Sequence, residues 1–95
     1  MLHILTNSPY KRDIKILISM INHTDSFIAI QDGIFIALRN SIFLNEILIR
    51  TKKLYVLKED VLSRGVLKYI SSMFKVVNYS KFVNLTVKNK LQMNW

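Results

Sequence analysis

Few side chains in this sequence of 95 residues could carry out chemistry, and the most reactive type is missing. The chain has no cysteine, which excludes a disulfide scaffold, a cysteine zinc site and thiol chemistry of its own. Its two histidines, His3 and His23, lie in an apolar run and a polar turn, without the ligand spacing of a metal site. Ser8 precedes Pro9 as a helix N-cap does, and it lacks the glycines of a nucleophile elbow. With only two glycines there is no phosphate-binding loop either, so we predict no catalytic residue, metal or cofactor.

Two acidic turns are the remaining candidates for a site. Gln31-Asp32-Gly33 follows an apolar run, at the end of a strand where α/β folds place ligands. Glu59 and Asp60 are adjacent, and carboxylates that share acid–base work usually face each other across a gap instead. The sequence therefore favours a turn and cap for Asp32, and capping or contact with a basic partner for Glu59 and Asp60.

The net charge of +8 suggests an anionic partner such as nucleic acid. The basic residues are scattered, and the closest clusters are Lys11-Arg12-Lys15 and Arg50-Lys52-Lys53, with Tyr55 and Tyr69 as stacking faces near them. Lysine outnumbers arginine 10 to 4, and isoleucine and asparagine are also abundant, as in an AT-rich genome. Codon drift is therefore an equal explanation of the charge, and a solvated surface is favoured over a nucleic-acid groove.

Short apolar runs alternate with amphipathic segments along the chain. We predict strands at 2–5, 26–30, 54–57, 74–77 and 91–95, and helices at 11–21, 34–38, 41–49, 58–64 and from about 80 to 89. This alternation is typical of an α/β fold: a small three-layer domain, residues 1–95, with a mostly parallel sheet of about five short strands covered by helices. Because the helices must be short, we expect thin cover on one face of the sheet.

Two features favour contact with another subunit. The apolar stripe of the helix at 11–21 is widened by Ile16 and Met20 beyond what a sheet-covering helix needs. Trp95, the only tryptophan, lies either at the edge of the core or in an interface. The first residues lack the charge and length of a signal peptide, and no apolar stretch reaches membrane-spanning length, so we expect a cytoplasmic protein.

The order of several short motifs resembles the DsrH-like subunits of the DsrE/DsrF/DsrH family of sulfur-relay proteins. The motifs are Met1-Leu2-His3, Ser8-Pro9, Gln31-Asp32-Gly33, residues 55–65 with Glu59-Asp60 and Arg64-Gly65, Tyr79, Phe82-Val83, residues 85–88, Gln92-Met93 and the final Trp95. They span the chain, although the middle, residues 34–54, matches only in general pattern.

The resemblance implies a subunit of a dimer of heterotrimers, formed with TusC-like and TusD-like subunits. Such a complex takes persulfide sulfur from a TusA-like donor and docks a TusE-like acceptor, and the sulfur ends as the 2-thio group of the wobble uridine in tRNA. In the sulfur-carrying subunit a cysteine stands near the position of Leu57, which is apolar in this sequence.

A persulfide carrier needs a thiolate, so the resemblance implies a non-catalytic, structural role without direct contact with nucleic acid. The candidate subunit interface comprises Ile16, Met20, Glu59, Asp60 and Trp95. A small basic RNA-binding protein is the alternative function. A stand-alone enzyme is disfavoured.

Overall fold

The protein is described from a computed structural model, which covers residues 1–11 and 13–95. Within these ranges five strands form one sheet in the order β4-β3-β2-β1-β5, and every neighbouring pair is parallel. The strands are β1 (Leu2–Leu5), β2 (Ser26–Ala29), β3 (Lys53–Leu57), β4 (Lys75–Val77) and β5 (Gln92–Asn94). The α/β fold with a parallel sheet that the sequence predicted is confirmed.

In the described part of the chain four α-helices accompany the strands: α1 (Ile14–Met20), α2 (Leu44–Leu48), α3 (Lys58–Ser63) and α4 (Tyr79–Lys88). The connections there also contain the short 3-10 helices Pro9–Lys11, Gln31–Ala37 and Leu67–Tyr69. Three predicted helices therefore differ from the structure in type or extent, and the one predicted at 41–49 spans Leu44–Leu48. The helix predicted at 34–38 belongs to the 3-10 helix Gln31–Ala37. The first α-helix begins at Ile14 rather than at residue 11. Ser8 Oγ accepts a hydrogen bond from Tyr10 N–H and so caps the 3-10 helix Pro9–Lys11 instead of α1.

The order of the strands decides how each face of the sheet is covered. From β1 to β4 each strand is added on the same side, so right-handed connections place α1, α2 and α3 on one face. The larger core lies there, where Phe27, Leu54 and Val56 meet Leu17 of α1 and Val61 of α3. The last strand returns to the other side of β1, so α4 crosses the opposite face.

On this second face α4 packs mainly over the middle of the sheet. Leu85 and the partly buried Phe82 contact Leu2, Ile4 and Ile28 of β1 and β2. Two further apolar residues of this helix, Val83 and Val87, do not share its buried side. At 100° a residue, both point away from Leu85, and they are exposed by 39% and 78%. One face of the sheet thus has a single covering helix, as the short helices led us to expect.

Candidate functional site

The carboxyl ends of β3 and β4 form the crevice in which an open α/β sheet usually binds ligands. The chain leaves β3 toward α3 on the first face, whereas it leaves β4 toward α4 on the second face. Adjacent strands whose connections diverge in this way open a crevice between them. Leu57 is the last residue of β3 at this point, and it is 7% exposed. The position at which the resemblance implies a cysteine in the sulfur carrier is therefore apolar and closed.

A carboxylate bridges the two sides of this crevice. Glu59, in the first turn of α3, accepts a hydrogen bond at Oε2 from the backbone N–H of Tyr79, at 3.3 Å. Asn78 Oδ1 accepts a second bond from Lys81 N–H, at 3.0 Å. Two of the four unpaired N–H groups that begin α4 are thus satisfied, one of them by a residue of another helix. Glu59 is a cap, as the sequence favoured, but it caps α4 rather than its own helix.

Asp60 performs the equivalent task for the segment after β2. Its Oδ2 accepts a hydrogen bond from Gln31 N–H at 2.6 Å, and Gln31 has a positive φ of 48°. This backbone conformation is disfavoured for a residue with a side chain, and the charge-assisted bond helps to hold it. Asp60 Oδ2 is therefore used in a hydrogen bond within the chain, to Gln31 N–H.

The turn Gln31-Asp32-Gly33 is tied to α3 by an ion pair. Arg64 Nε donates to Asp32 Oδ1 at 3.1 Å, and Arg64 Nη2 lies 3.0 Å from the same oxygen. Arg64 Nη1 lies 3.8 Å from Asp60 Oδ1. Asp32 is thus not the helix cap that the sequence favoured. The carboxylates at this edge are used in structural contacts, and none is paired with a second carboxylate for acid–base catalysis.

A buried polar cluster lies at the opposite, amino edge. His3 is fully buried, and since a carboxylate can only accept, His3 Nε2 donates to Asp25 Oδ2 at 2.9 Å. Asp25 also accepts from Asn22 N–H at 3.0 Å and from the terminal ammonium at 3.2 Å. Burial raises the pKa of Asp25, but the bonds from Asn22, His3 and the ammonium outweigh it and leave this pKa below its ordinary value. His3 and Asp25 join the start of β1 to the start of β2.

The proposed interface residues are only partly brought together. Ile16 and Trp95 line one small apolar cavity of about 160 Å³ beside Leu17. Trp95 continues β5, its N–H bonding Ile4 C=O at 2.8 Å, and its partly buried ring packs against the larger core. Met20 lies one turn further along α1, and Ile16 and Met20 are exposed by 53% and 44%. Glu59 and Asp60 lie elsewhere, after β3, so the five residues do not form one patch.

Sequence reasoning missed a groove on the second face of the sheet. We call it the lysine groove; it has a volume of about 430 Å³. Its lining residues are Thr24, Ser26, Lys53, Tyr55, Lys75, Lys81, Leu85, Lys88 and Asn89. The four lysines come from β3, β4 and α4 and are up to 35 positions apart, so only the fold brings them together. The predicted cluster Lys11-Arg12-Lys15 is not part of it, and Arg12 lies outside the described residues.

The two tyrosines predicted as stacking faces each lie beside basic side chains. Lys81 Nζ lies 6.0 Å from the centre of the Tyr55 ring, and Lys68 and Arg39 lie 5.4 and 6.0 Å from that of Tyr69.

Across residues 1–11 and 13–95, no three His, Cys, Asp or Glu side chains gather to hold a metal ion. No helix in those same ranges has the length and apolar character to cross a bilayer.

Comparison with known proteins agrees with the sequence resemblance. Residues 7–92 match the family described as DsrH like protein. The chain is 48% identical to Protein TusB of Buchnera aphidicola subsp. Acyrthosiphon pisum and 50% identical to Protein TusB of Buchnera aphidicola subsp. Schizaphis graminum. It is 36% identical to Protein TusB of Yersinia enterocolitica. Each match covers all 95 residues of this chain and the whole of the relative. The chain therefore belongs to the DsrH-like family.

Proposed function

We propose that this chain is a non-catalytic structural subunit of a sulfur-relay complex that serves 2-thiolation of the wobble uridine, as 5-methylaminomethyl-2-thiouridine, in tRNA. Membership of the DsrH-like family and the full-length likeness to TusB proteins support the relay. The observation that carries the structural role is the crevice between β3 and β4. It ends on the apolar Leu57 and is bridged by the bond from Tyr79 N–H to Glu59.

Sulfur transfer between proteins requires chemistry that this chain lacks. A thiolate attacks the outer sulfur of a persulfide, a new S–S bond forms, and the donor leaves as a thiolate. The chain has no cysteine to act as that nucleophile. Its contribution is to complete the assembly and to help shape the docking surface around a partner's cysteine.

The partners that we propose are TusC-like and TusD-like subunits in a dimer of heterotrimers, in the cytoplasm. The complex receives sulfur from a TusA-like protein and docks a TusE-like protein. The exposed apolar side of α1, Ile16 and Met20, together with the adjacent Trp95, is the first candidate for the subunit contact, because aromatic and apolar side chains provide most of the binding energy at interfaces. Glu59 and Asp60 form a second, polar candidate.

A matched pair of variants tests this assignment. Ile16→Asp places a charge beside Trp95, whereas Ile49→Asp makes the same change at an isoleucine that is 83% exposed and lies at the end of α2. We expect Ile16→Asp to lose the two related subunits on affinity purification and Ile49→Asp to retain them. Retention of both subunits by Ile16→Asp would exclude the α1 surface as the contact.

The cellular role is tested by the modification itself. Deletion of the gene should remove 5-methylaminomethyl-2-thiouridine from bulk tRNA, and both the original chain and Ile49→Asp should restore it. Unchanged 2-thiouridine after deletion would contradict the relay function.

The lysine groove is the one observation that favours the alternative function, a small basic RNA-binding protein. That function predicts a chain that is purified without related subunits and whose deletion leaves tRNA thiolation intact. Co-purification therefore distinguishes the two functions.

A further inference from the structure

The lysine groove exists because of the strand order. Within residues 1–11 and 13–95 only α4 crosses the second face of the sheet, and it contacts β1 and β2 through Leu85 and Phe82. The same face of β3 and β4 therefore stays open at its amino end, where Lys53 and Lys75 lie on adjacent strands. Lys81 and Lys88 of α4 form the opposite wall.

The positive charge of this groove is not neutralised within the described part of the chain. No acidic residue lines the cavity. In residues 1–11 and 13–95 the groups within ion-pair distance of a carboxylate are the terminal ammonium, the His3 ring and Arg64, so no lysine is paired with a carboxylate. Asp32, Glu59 and Asp60 lie at the other, carboxyl end of the strands, and Asp25, at the amino end, is buried and bonded to the terminal ammonium, His3 and Asn22. Four ammonium groups thus share one concave surface, which concentrates their potential.

The basic surface continues beyond the groove. A neighbouring cavity of about 360 Å³ shares Lys53 and is lined also by Arg50 and Lys52, again without an acidic residue. Six basic side chains therefore border two adjoining cavities. A surface of this extent fits a polymer with regularly repeated negative charge better than it fits a single small anion.

We propose that the lysine groove binds the sugar–phosphate backbone of RNA. Lysine is depleted in protein–protein interfaces, whereas surfaces that bind nucleic acids are much more positively charged, so the groove is unlike a subunit contact. The hydroxyl side chains of Thr24 and Ser26 and the amide of Asn89 lie among the lysines and supply partners for a 2′-hydroxyl.

The same geometry predicts how far binding depends on the base sequence of the RNA. The Tyr55 ring in the groove is partly buried, and Lys81 Nζ lies 6.0 Å from its centre, so the lysines present more of this surface than the ring does. Binding therefore depends on phosphate charge and little on base sequence. Codon drift can add lysines anywhere on the surface, but it does not explain why four of them surround one groove that has no acidic residue. This inference departs from the sequence-based expectation that the chain does not contact nucleic acid, and it does not depend on the relay function.

The first test is the salt dependence of binding to a fluorescein-labelled, mixed-sequence, single-stranded RNA of roughly 15 nucleotides, measured by anisotropy with the full chain. Four phosphate contacts predict a slope of log K against log salt of about −2.8, which is a loss of about fifty-fold between about 50 and 200 mM salt. A slope shallower than about −1, or undetectable binding at about 50 mM salt, would overturn the proposal.

The second test compares two quadruple variants of equal charge. One carries Lys53→Gln, Lys75→Gln, Lys81→Gln and Lys88→Gln; the control carries Lys11→Gln, Lys15→Gln, Lys58→Gln and Lys68→Gln. All eight lysines are exposed, so we expect both variants to fold, which thermal unfolding checks. We expect the groove variant to lose RNA affinity by about tenfold or more and to show a shallower salt slope, and the control to lose about threefold or less. Equal losses of RNA affinity by the two variants would mean that RNA is attracted by the general charge of the surface, and this would overturn the proposed site.

Two competitors test the identity of the ligand. RNA should displace the probe better than DNA of the same sequence, because only RNA offers the 2′-hydroxyl. Better displacement by DNA would overturn the assignment to RNA. Better displacement by polyglutamate at equal charge would assign the groove to an acidic protein segment instead. Partner capture and tRNA thiolation are read separately, so a failure here is distinguishable from a failure of the relay function.

Discussion

The contact between the 3-10 helix Gln31–Ala37 and β1 leaves no room for a side chain at Gly33. A Cβ atom at this position would overlap the carbonyl oxygen of Leu5 and lie 2.7 Å from its carbon and 2.9 Å from Leu5 Cγ. Gly33 N–H also lies within hydrogen-bonding distance of Thr6 C=O and Ile30 C=O, at 3.2 and 2.9 Å, which holds the segment in place. Because the atoms it meets include strand backbone, rotation of a side chain cannot relieve the overlap. Gly33→Ala should force a shift of about 1 Å in the backbone.

The expected cost of Gly33→Ala is about 3 kcal/mol of unfolding free energy or more, as for overpacking against a fixed backbone. Gly65→Ala is the matched control. Gly65 has a φ of 66°, and a Cβ atom added to it would meet nothing within 4 Å, so only conformational strain applies, about 1 kcal/mol.

Urea unfolding followed by the fluorescence of Trp95, the only tryptophan, measures both variants in one assay. With an m-value of about 1.5 kcal/mol/M, the midpoint should fall by about 2 M for Gly33→Ala and by about 0.7 M for Gly65→Ala. Equal shifts, or a larger shift for Gly65→Ala, would refute the close packing of this segment on β1.

Three further substitutions test the polar contacts. Asp25→Asn should lower the stability at neutral pH and make the stability depend less on acid. The lowered pKa of Asp25 stabilises the fold above pH about 4, and this contribution is lost as the pH falls through the folded-state pKa. Unfolding measured over a series of acidic pH values tests this. Glu59→Ala should cost about 1 kcal/mol through the cap on Tyr79 N–H, whereas Glu46→Ala, at an exposed residue of α2, should cost less than half of that by urea unfolding. Arg64→Ala should cost no more than about 1 kcal/mol, reduced further in high salt, because Asp32 is largely exposed.

Four of the five strands were predictable because each is a short, largely apolar run, whereas β5 has Met93 as its one apolar residue. Residues 2–5 are assigned without error, since both faces of β1 are buried and no polar residue interrupts the pattern except His3, which is itself buried. The helices were less predictable because their apolar residues do not all face the core. In α4, Phe82 and Leu85 are on the buried side, while Val83 and Val87 belong to a separate exposed stripe with Tyr79.

The candidate sites depended on contacts between distant segments, which a single sequence does not contain. The bond from Gln31 N–H to Asp60 spans 29 residues, and the bond from Tyr79 N–H to Glu59 spans 20. Capping was the favoured role of both acids, yet the helices that they cap lie elsewhere in the chain. The lysine groove depends on the packing of α4 over β1 and β2, which leaves the amino end of β3 and β4 open on this face.

The central claim is that the chain functions as a structural part of a larger assembly, and native mass spectrometry of the complex captured from cells through a tag on this chain tests it most directly. We predict a single assembly with equal copy numbers of this chain and two related α/β subunits, one of which carries the transferring cysteine. Capture of the chain alone, or only as a homo-oligomer, would contradict the account.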